Sequence, residues 1–190
     1  TNIGNFAYDY LVIGTGCKSN FFGNTQIENH SLTLKSTSDA IAIRNHILLT
    51  FERIISASEQ EKERLLNILI VGAGPTGVEL AGAFAEIKNT VLPKDYPDID
   101  FKKLKIILVE GSQNTLNNMS DTAKNASQKY LQEMGVVVRT GLHMTSYDGE
   151  IAVFNNGEEI KTGTVIWAAG ITGNTIEGLP DNTIVRGNRI

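Results

Sequence analysis

The sequence predicts an α/β fold, a Rossmann-like parallel sheet carrying a small antiparallel β-meander. Three observations point to it. Asn67–Val71 (NILIV), Lys105–Glu110 (KIILVE) and Thr164–Ala169 (TVIWAA) are short, nearly continuous apolar runs, as expected of parallel strands covered on both faces. The first two are separated by residues with the three-to-four spacing of a helix. Met144–Lys161 then breaks into short runs divided by Asp148-Gly149 and Asn155-Asn156-Gly157, the turn chemistry of hairpins.

Taken in order, Tyr8–Ile13 (YDYLVI) reads as an apolar strand running into a glycine turn. Gly14–Ser38 reads as loop, with Asn20, Gly23, Asn24 and Asn29 supplying turn residues. Ser36 and Asp39 resemble a capping box, and Ala40, Ile43, Ile47, Phe51 and Ile54 mark one face of an amphipathic helix ending near residues 56–58. Glu59–Arg64 (EQEKER) reads as a charged, solvated connector. After the strand Asn67–Val71 and the loop Gly72–Gly77, Leu80, Phe84 and Ile87 form an apolar stripe, and Gly77, Ala81 and Ala85 a stripe of small residues suited to close packing on a sheet. Two prolines in Leu92–Asp100 (LPKDYPDID) break that helix. Ser120 caps a helix from Asp121 to about Met134, Gly135 stops it, and Val136–Arg139 is a further strand. The meander runs are Met144–Tyr147, Ile151–Phe154 and Glu158–Lys161; beyond Thr164–Ala169 the chain, through Gly178–Pro180, reads as loop.

Composition narrows the function classes. The chain has 190 residues, 41% hydrophobic and 20% charged, which is globular rather than disordered composition. No apolar run is long enough for a membrane span. A net charge of −4 supplies no general basic field, so nucleic acid is not an expected partner. The lone Cys17 excludes an internal disulfide framework and a thiolate zinc site, and His30, His46 and His143 lack ligand spacing, so no metal is expected. Thr1–Tyr10 has neither the basic nor the apolar segment of a cleaved targeting signal, which leads to a cytoplasmic expectation.

The informative motif is strand, then Gly72-x-Gly74-x-x-Gly77, then helix. In this arrangement the first glycine permits the tight turn, the second lets a pyrophosphate approach the backbone, and the third lets the helix lie close to the sheet. Amides opening the helix then face the phosphates, and Pro75 occupies a first-turn position where its missing N–H costs nothing. Glu110, at the tip of the next strand, is the expected partner of the adenosine ribose hydroxyls. Its separation from the glycines exceeds the usual ~20 residues, and the proline-broken insertion from Thr90 to Lys103 absorbs the excess. No arginine follows Glu110 directly to receive a 2′-phosphate, which favours NAD(H) over NADP(H). Glu79, one turn into the helix, has two readings: an acid stabilised by the helix dipole, or a side chain beside the nicotinamide.

IVGAGPTGVELAGAFAEI, LPKDYPDID, KIILVEG and TVIWAAGI together resemble the type II NADH dehydrogenases, single-subunit NADH:quinone oxidoreductases among the two-dinucleotide-binding-domain flavoproteins of respiratory chains. YDYLVIGTGCKSNFFG resembles that family's strand-and-glycine segment at the edge of the FAD domain, with departures at Gly14 and Cys17, where alanine is commoner. The resemblance implies that residues 1–62 are a partial FAD-domain segment, 63–163 the NADH-binding Rossmann-like domain, and 164–190 a return strand and the start of the second FAD-domain segment. It implies that Gly72, Ala73, Gly74, Pro75, Thr76, Gly77, Glu79, Glu110 and Gly111 bind NADH, that Ala169 and Gly170 lie near both cofactors, and that Thr15 and Gly16 border the flavin. The implied reaction is hydride transfer from NADH to FAD, then reduction of a quinone, with no acid–base or nucleophilic residue required. The family's chain is about twice as long. By resemblance the FAD diphosphate loop would precede Thr1 and a membrane-binding segment would follow Ile190, holding the whole protein on the inner face of the cell membrane. This piece alone would then lack FAD and be inactive. Tyr8–Ile13, the helix from Ala40 and Thr164–Ala169 would lose their covering half, leading the chain to self-associate. Two alternatives stay open: an NAD(P)H domain of a pyridine nucleotide-disulfide or ferredoxin-type reductase, and a non-enzymatic NAD(H)-binding module.

Overall fold

The computed structural model describes residues 4, 6–97, 99–179 and 181–189. Asp98 of the proline-broken insertion and Pro180 of the expected terminal loop lie outside the described residues. The chain forms two compact units, Ser19–Gly170 and Thr1–Lys18 with Ile171–Ile190.

The larger unit is built on a five-stranded parallel sheet. Its strands are β2 (Leu32–Thr33), β3 (Asn67–Val71), β4 (Lys105–Glu110), β5 (Val137–Thr140) and β9 (Thr164–Trp167), in the order β2-β9-β3-β4-β5. Every residue of β3 and β9 is buried, because strand alternation sends successive side chains to two different cores. Ile68, Ile70, Ile106, Leu108 and Ile166 face one core; Leu69, Val71, Ile107, Val109, Val165 and Trp167 face the other. Helices cover the first core: α2 (Thr37–Ser56) through Ile43, Ile47, Phe51 and Ile54, α4 (Pro75–Thr90) through Ala81, Phe84 and Ala85, and α6 (Asp121–Glu133) through Leu131. The second core is closed by Ile27 of α1 (Thr25–His30) and by an antiparallel meander, β6 (Met144–Tyr147), β7 (Ile151–Phe154) and β8 (Glu159–Lys161). Tyr147 is buried there with its hydroxyl donating to the Thr162 carbonyl oxygen (3.2 Å), and burial pushes the phenol up to about 12.

The element signals decide most boundaries. Ser36 and Asp39 make a complete capping box at α2, and Gly135, at φ +86, follows the end of α6 in the left-handed conformation that glycine accepts. A single turn, α5 (Leu92–Asp95), begins at the proline-broken insertion.

Several expectations are corrected. Glu59–Leu65 is a helix, α3, rather than a connector: Ser58 and Glu61 form a capping box, Lys62 pairs with Glu59 at 2.9 Å, and Leu65 anchors the last turn in the core. Those devices act without an apolar stripe, which is why periodicity missed it. The expected loop before α2 contains α1 and β2, each too short for a periodic signal. Thr164–Ala169 was expected to lack cover; instead β9 sits inside the sheet between β2 and β3. The α2 helix buries one face and exposes Ile41, Leu48, Leu49 and Ile55 on another.

In the smaller unit, Tyr8–Ile13 forms no strand. Its side chains are largely exposed, Tyr10 at 93% and Val12 at 92%, and an extended run without a neighbouring ladder has nothing to hold it as a strand. The strand lies later, β1 (Cys17–Ser19), paired with β10 (Ile171–Gly173) in the segment expected to be loop.

Candidate dinucleotide site

After β3 the chain turns at Gly72, whose φ of +103 is open to glycine and strained for other residues. A Cβ at Gly72 would lie 2.7 Å from the Ala168 carbonyl carbon and the Ala169 nitrogen, so the turn presses against the tip of β9. The Gly72 amide donates to Val109 O (2.7 Å), and the Ala168 amide donates to Val71 O (2.8 Å). At Gly77 a Cβ would overlap the Gly72 carbonyl oxygen and stand 3.5 Å from Leu108 Cδ1. Two of the three glycines are therefore required by the protein's own backbone.

Gly74 differs. Its φ is −70, accessible to any residue, and no atom lies within 4 Å of a Cβ placed there. Gly74 is the N-cap of α4, no side chain caps that terminus, Pro75 is in the first turn, and the first amide to close a helical bond is Val78 N–H to Gly74 O (3.0 Å). Uncapped amides at a helix start, together with the helix dipole, are an arrangement able to take an anion, and a bare backbone would let one come close.

The Ala73 peptide between these glycines is held at both ends. Its N–H donates to Glu110 Oε2 (2.7 Å), and its carbonyl accepts from the Leu116 amide (2.8 Å). The other carboxylate oxygen, Oε1, accepts from the Ser112 amide and hydroxyl, both at 2.8 Å. Glu110 thus stands at the expected strand tip and is also a bracket tying the glycine loop to the end of β4. Its three hydrogen bonds leave about one of a carboxylate's four acceptor positions open. Gly111 is covered by the His143 ring, which a Cβ would overlap.

The fold brings Gly72, Ala73, Gly74, Pro75, Thr76, Gly77, Glu110, Gly111, Ala169 and Gly170 to the C-terminal ends of β3, β4 and β9. There the sheet order reverses, since the chain moves outward from β3 to β4 and β5 and returns on the other side as β9. That crevice is where open α/β sheets take ligands. Glu79 is exposed on the opening turns of α4 and makes no ion pair among the described residues. Thr15 and Gly16 belong to the smaller unit, where the Asn174 amide group donates to Thr15 O (2.8 Å) and the Asn174 backbone N–H to Gly16 O (3.1 Å). Among the described residues no cluster of three or more His, Cys, Asp or Glu could hold a metal.

Sequence reasoning missed Ser112, and it missed Asn20, Phe22 and Trp167 around Gly170. Trp167 Nε1 donates to Asn20 O (3.0 Å), and Asn20 N donates to Gly170 O (3.2 Å). The Asn20–Gly23 turn chemistry marked a turn there, but nothing local revealed that it closes on β9.

The family model described as pyridine nucleotide-disulphide oxidoreductase matches residues 2–185. The chain belongs to that family. It is 31% identical over 170 residues to the type II NADH:quinone oxidoreductase Ndh of Mycobacterium tuberculosis, covering 87% of this chain and 37% of that protein. It is 32% identical to a probable NADH dehydrogenase of Dictyostelium discoideum, covering 86% and 37%. The solved structure of NDH2 from Plasmodium falciparum in complex with NADH superposes with a TM-score of 0.82 at 28% identity, over 89% of this chain and 36% of that one. The chain thus spans little more than a third of the length of these relatives. The Rossmann-like parallel sheet described above is the fold shared with that NDH2 structure. No helix among the described residues is long and apolar enough to cross a membrane.

Proposed function

We propose that this chain is the NADH-binding part of a flavin-dependent NADH:quinone oxidoreductase, with residues 63–163 as the binding domain. The observation that carries the reading is Gly74: a glycine that neither backbone strain nor internal packing demands, at an uncapped helix start, beside a carboxylate fixed at the next strand tip. A diphosphate accounts for it.

In this reading the α4 amides hold the diphosphate, Glu110 receives the adenosine ribose, and the other half of the dinucleotide extends over β9 toward Ala169 and Gly170. Bound NADH supplies a hydride for a flavin, and the chain's own residues orient it and shield it from water. Thr15 and Gly16 are proposed to border that flavin in the whole protein. The Gly14-Thr15-Gly16 segment runs into β1 rather than a helix, so its glycines offer no second helix start for a diphosphate. The chain alone is expected to bind NADH without reducing a quinone. Placement at the inner face of a membrane belongs to the same proposal for the whole protein. Self-association through the exposed apolar residues of α2 is also proposed, and a monomeric mass by light scattering at every concentration would contradict it.

Calorimetric titration with NADH and NADPH tests the core of the reading. Binding of NADH in clear preference to NADPH is expected, because a 2′-phosphate would meet the Glu110 charge. Failure to bind either would sink it.

A further inference from the structure

The least explained residue of the larger unit is Phe22. Its φ is +54, a conformation costly for a bulky side chain, and the residue is 70% exposed with only an edge-on ring contact to Trp167 (6.5 Å), so burial does little to compensate the strain. The adjacent Phe21 takes the packing role, partly buried and stacked on Trp167 at 5.4 Å. Phe22 is held by its surroundings. Its amide donates to Asn20 Oδ1 (2.9 Å), the Asn24 amide donates to Phe21 O (3.0 Å), and Asn20 is fixed to Trp167 and Gly170 as described. The ring is thereby set over Gly170, where an added Cβ would stand 2.7 Å from Phe22 Cζ.

Sheet order relates that ring to a dinucleotide. Glu110 at the tip of β4 marks the adenosine side and the glycine loop follows β3, so the remaining half must run toward β9, the neighbour of β3 on the opposite side. The tip of β9 is what Phe22 covers. We propose that Phe22 is a positioning residue for the nicotinamide half of NADH, its exposed face forming a wall against which the flat ring stacks. The proposal rests on the NADH reading above. Its physical basis is the attraction between an aromatic face and a planar heterocycle, with the ring already standing over Gly170 before any ligand binds.

The test compares the full 190-residue chain with F22A, F22W and F22G, titrating each with NADH and with ADP-ribose, which lacks the nicotinamide, and measuring thermal midpoints. F22A is expected to weaken NADH about tenfold while leaving ADP-ribose within about twofold, and F22W to keep NADH affinity. F22G, relaxed at φ +54, is expected to melt about 2–4 °C higher with the same selective loss of NADH. Equal losses for both ligands, or no loss of NADH in F22A, would overturn the assignment. Failure of the unsubstituted chain to bind ADP-ribose would overturn the NADH reading and this proposal together, a result distinct from either of those.

Discussion

Replacing Glu110 by alanine removes a bracket as well as the charge proposed to receive the ribose, and the two consequences can be measured separately. The carboxylate accepts from Ala73 N–H, Ser112 N–H and Ser112 Oγ–H. Ala73 is 1% exposed, so its amide has no ready access to water once Glu110 is gone. Leaving a buried donor unpaired costs about 1–3 kcal/mol, and the half-buried Ser112 groups, which can hydrate, add about 1 kcal/mol. The expected loss is about 2–4 kcal/mol, or roughly 5–15 °C in the melting midpoint for a chain of this size. Glu110→Gln keeps the shape but turns an NH₂ toward one N–H in either amide orientation, since both carboxylate oxygens face a backbone donor, so a smaller fall of about 2–6 °C is expected. Circular-dichroism melts give the stability, and hydrogen exchange at the Ala73 amide, expected to accelerate at least about tenfold, localises it. An alanine variant melting within about 1 °C of the parent, with Ala73 exchange unchanged, would refute the bracket.

The glycines should separate into structural and ligand-facing positions. Gly77→Ala, whose Cβ would overlap the Gly72 carbonyl, should fail to fold or lose about 3 kcal/mol or more, whereas Gly74→Ala should melt within about 2 °C of the parent yet bind NADH at least about tenfold more weakly; circular dichroism and calorimetry read both. His46 gives a pH dependence. Burial holds its imidazole below 6.5, the charge of Arg53 acts the same way and the Gly163 backbone opposes it, with Nε2 2.9 Å from Thr164 Oγ1. A depressed folded-state value means that stability is fully present above pH 6.5 and is lost as pH falls through the folded value, so the parent should melt about 2–4 °C lower at pH 5.5 than at 7.5, while His46→Gln should flatten that limb.

The parallel strands were legible because burial on both faces writes itself as unbroken apolar runs such as NILIV and KIILVE, and the glycine loop because its three positions sit at one junction of strand and helix. α3 was hidden because capping and ion pairs leave no apolar stripe. Tyr8–Ile13 misled because its run has the composition of a covered strand, and composition does not supply the partner ladder that a strand needs. Around the site, Glu110 was legible by position, but its hydrogen bond to Ala73 was not, since it depends on register between segments 37 residues apart; the Ser112 bonds are local, two residues on, and no motif singles that serine out. Phe22 lay beyond reach for the same reason as the Ala73 bond. Its neighbour across space, Trp167, is 147 residues from the Asn20 that holds it.

Glu110 cannot keep all three of its present hydrogen bonds and also receive two ribose hydroxyls, because about one acceptor position remains. The bonds differ in how readily they yield. The Ala73 and Ser112 amides are backbone donors whose direction the chain fixes. The Ser112 hydroxyl carries a single proton and has two acceptors in reach, Glu110 Oε1 at 2.8 Å and Asn114 O at 3.0 Å. Rotation about the Cβ–Oγ bond can hand its proton to Asn114 O without leaving a buried donor unpaired, which frees Oε1 for the sugar. In that arrangement the hydroxyl steadies the empty site and withdraws from the filled one. Ser112→Ala should then lower the melting midpoint by about 2–4 °C, while NADH affinity stays within about threefold. A loss of affinity beyond about tenfold with an unchanged melt would mean that the hydroxyl stays on the carboxylate, or contacts the ribose itself, in the complex.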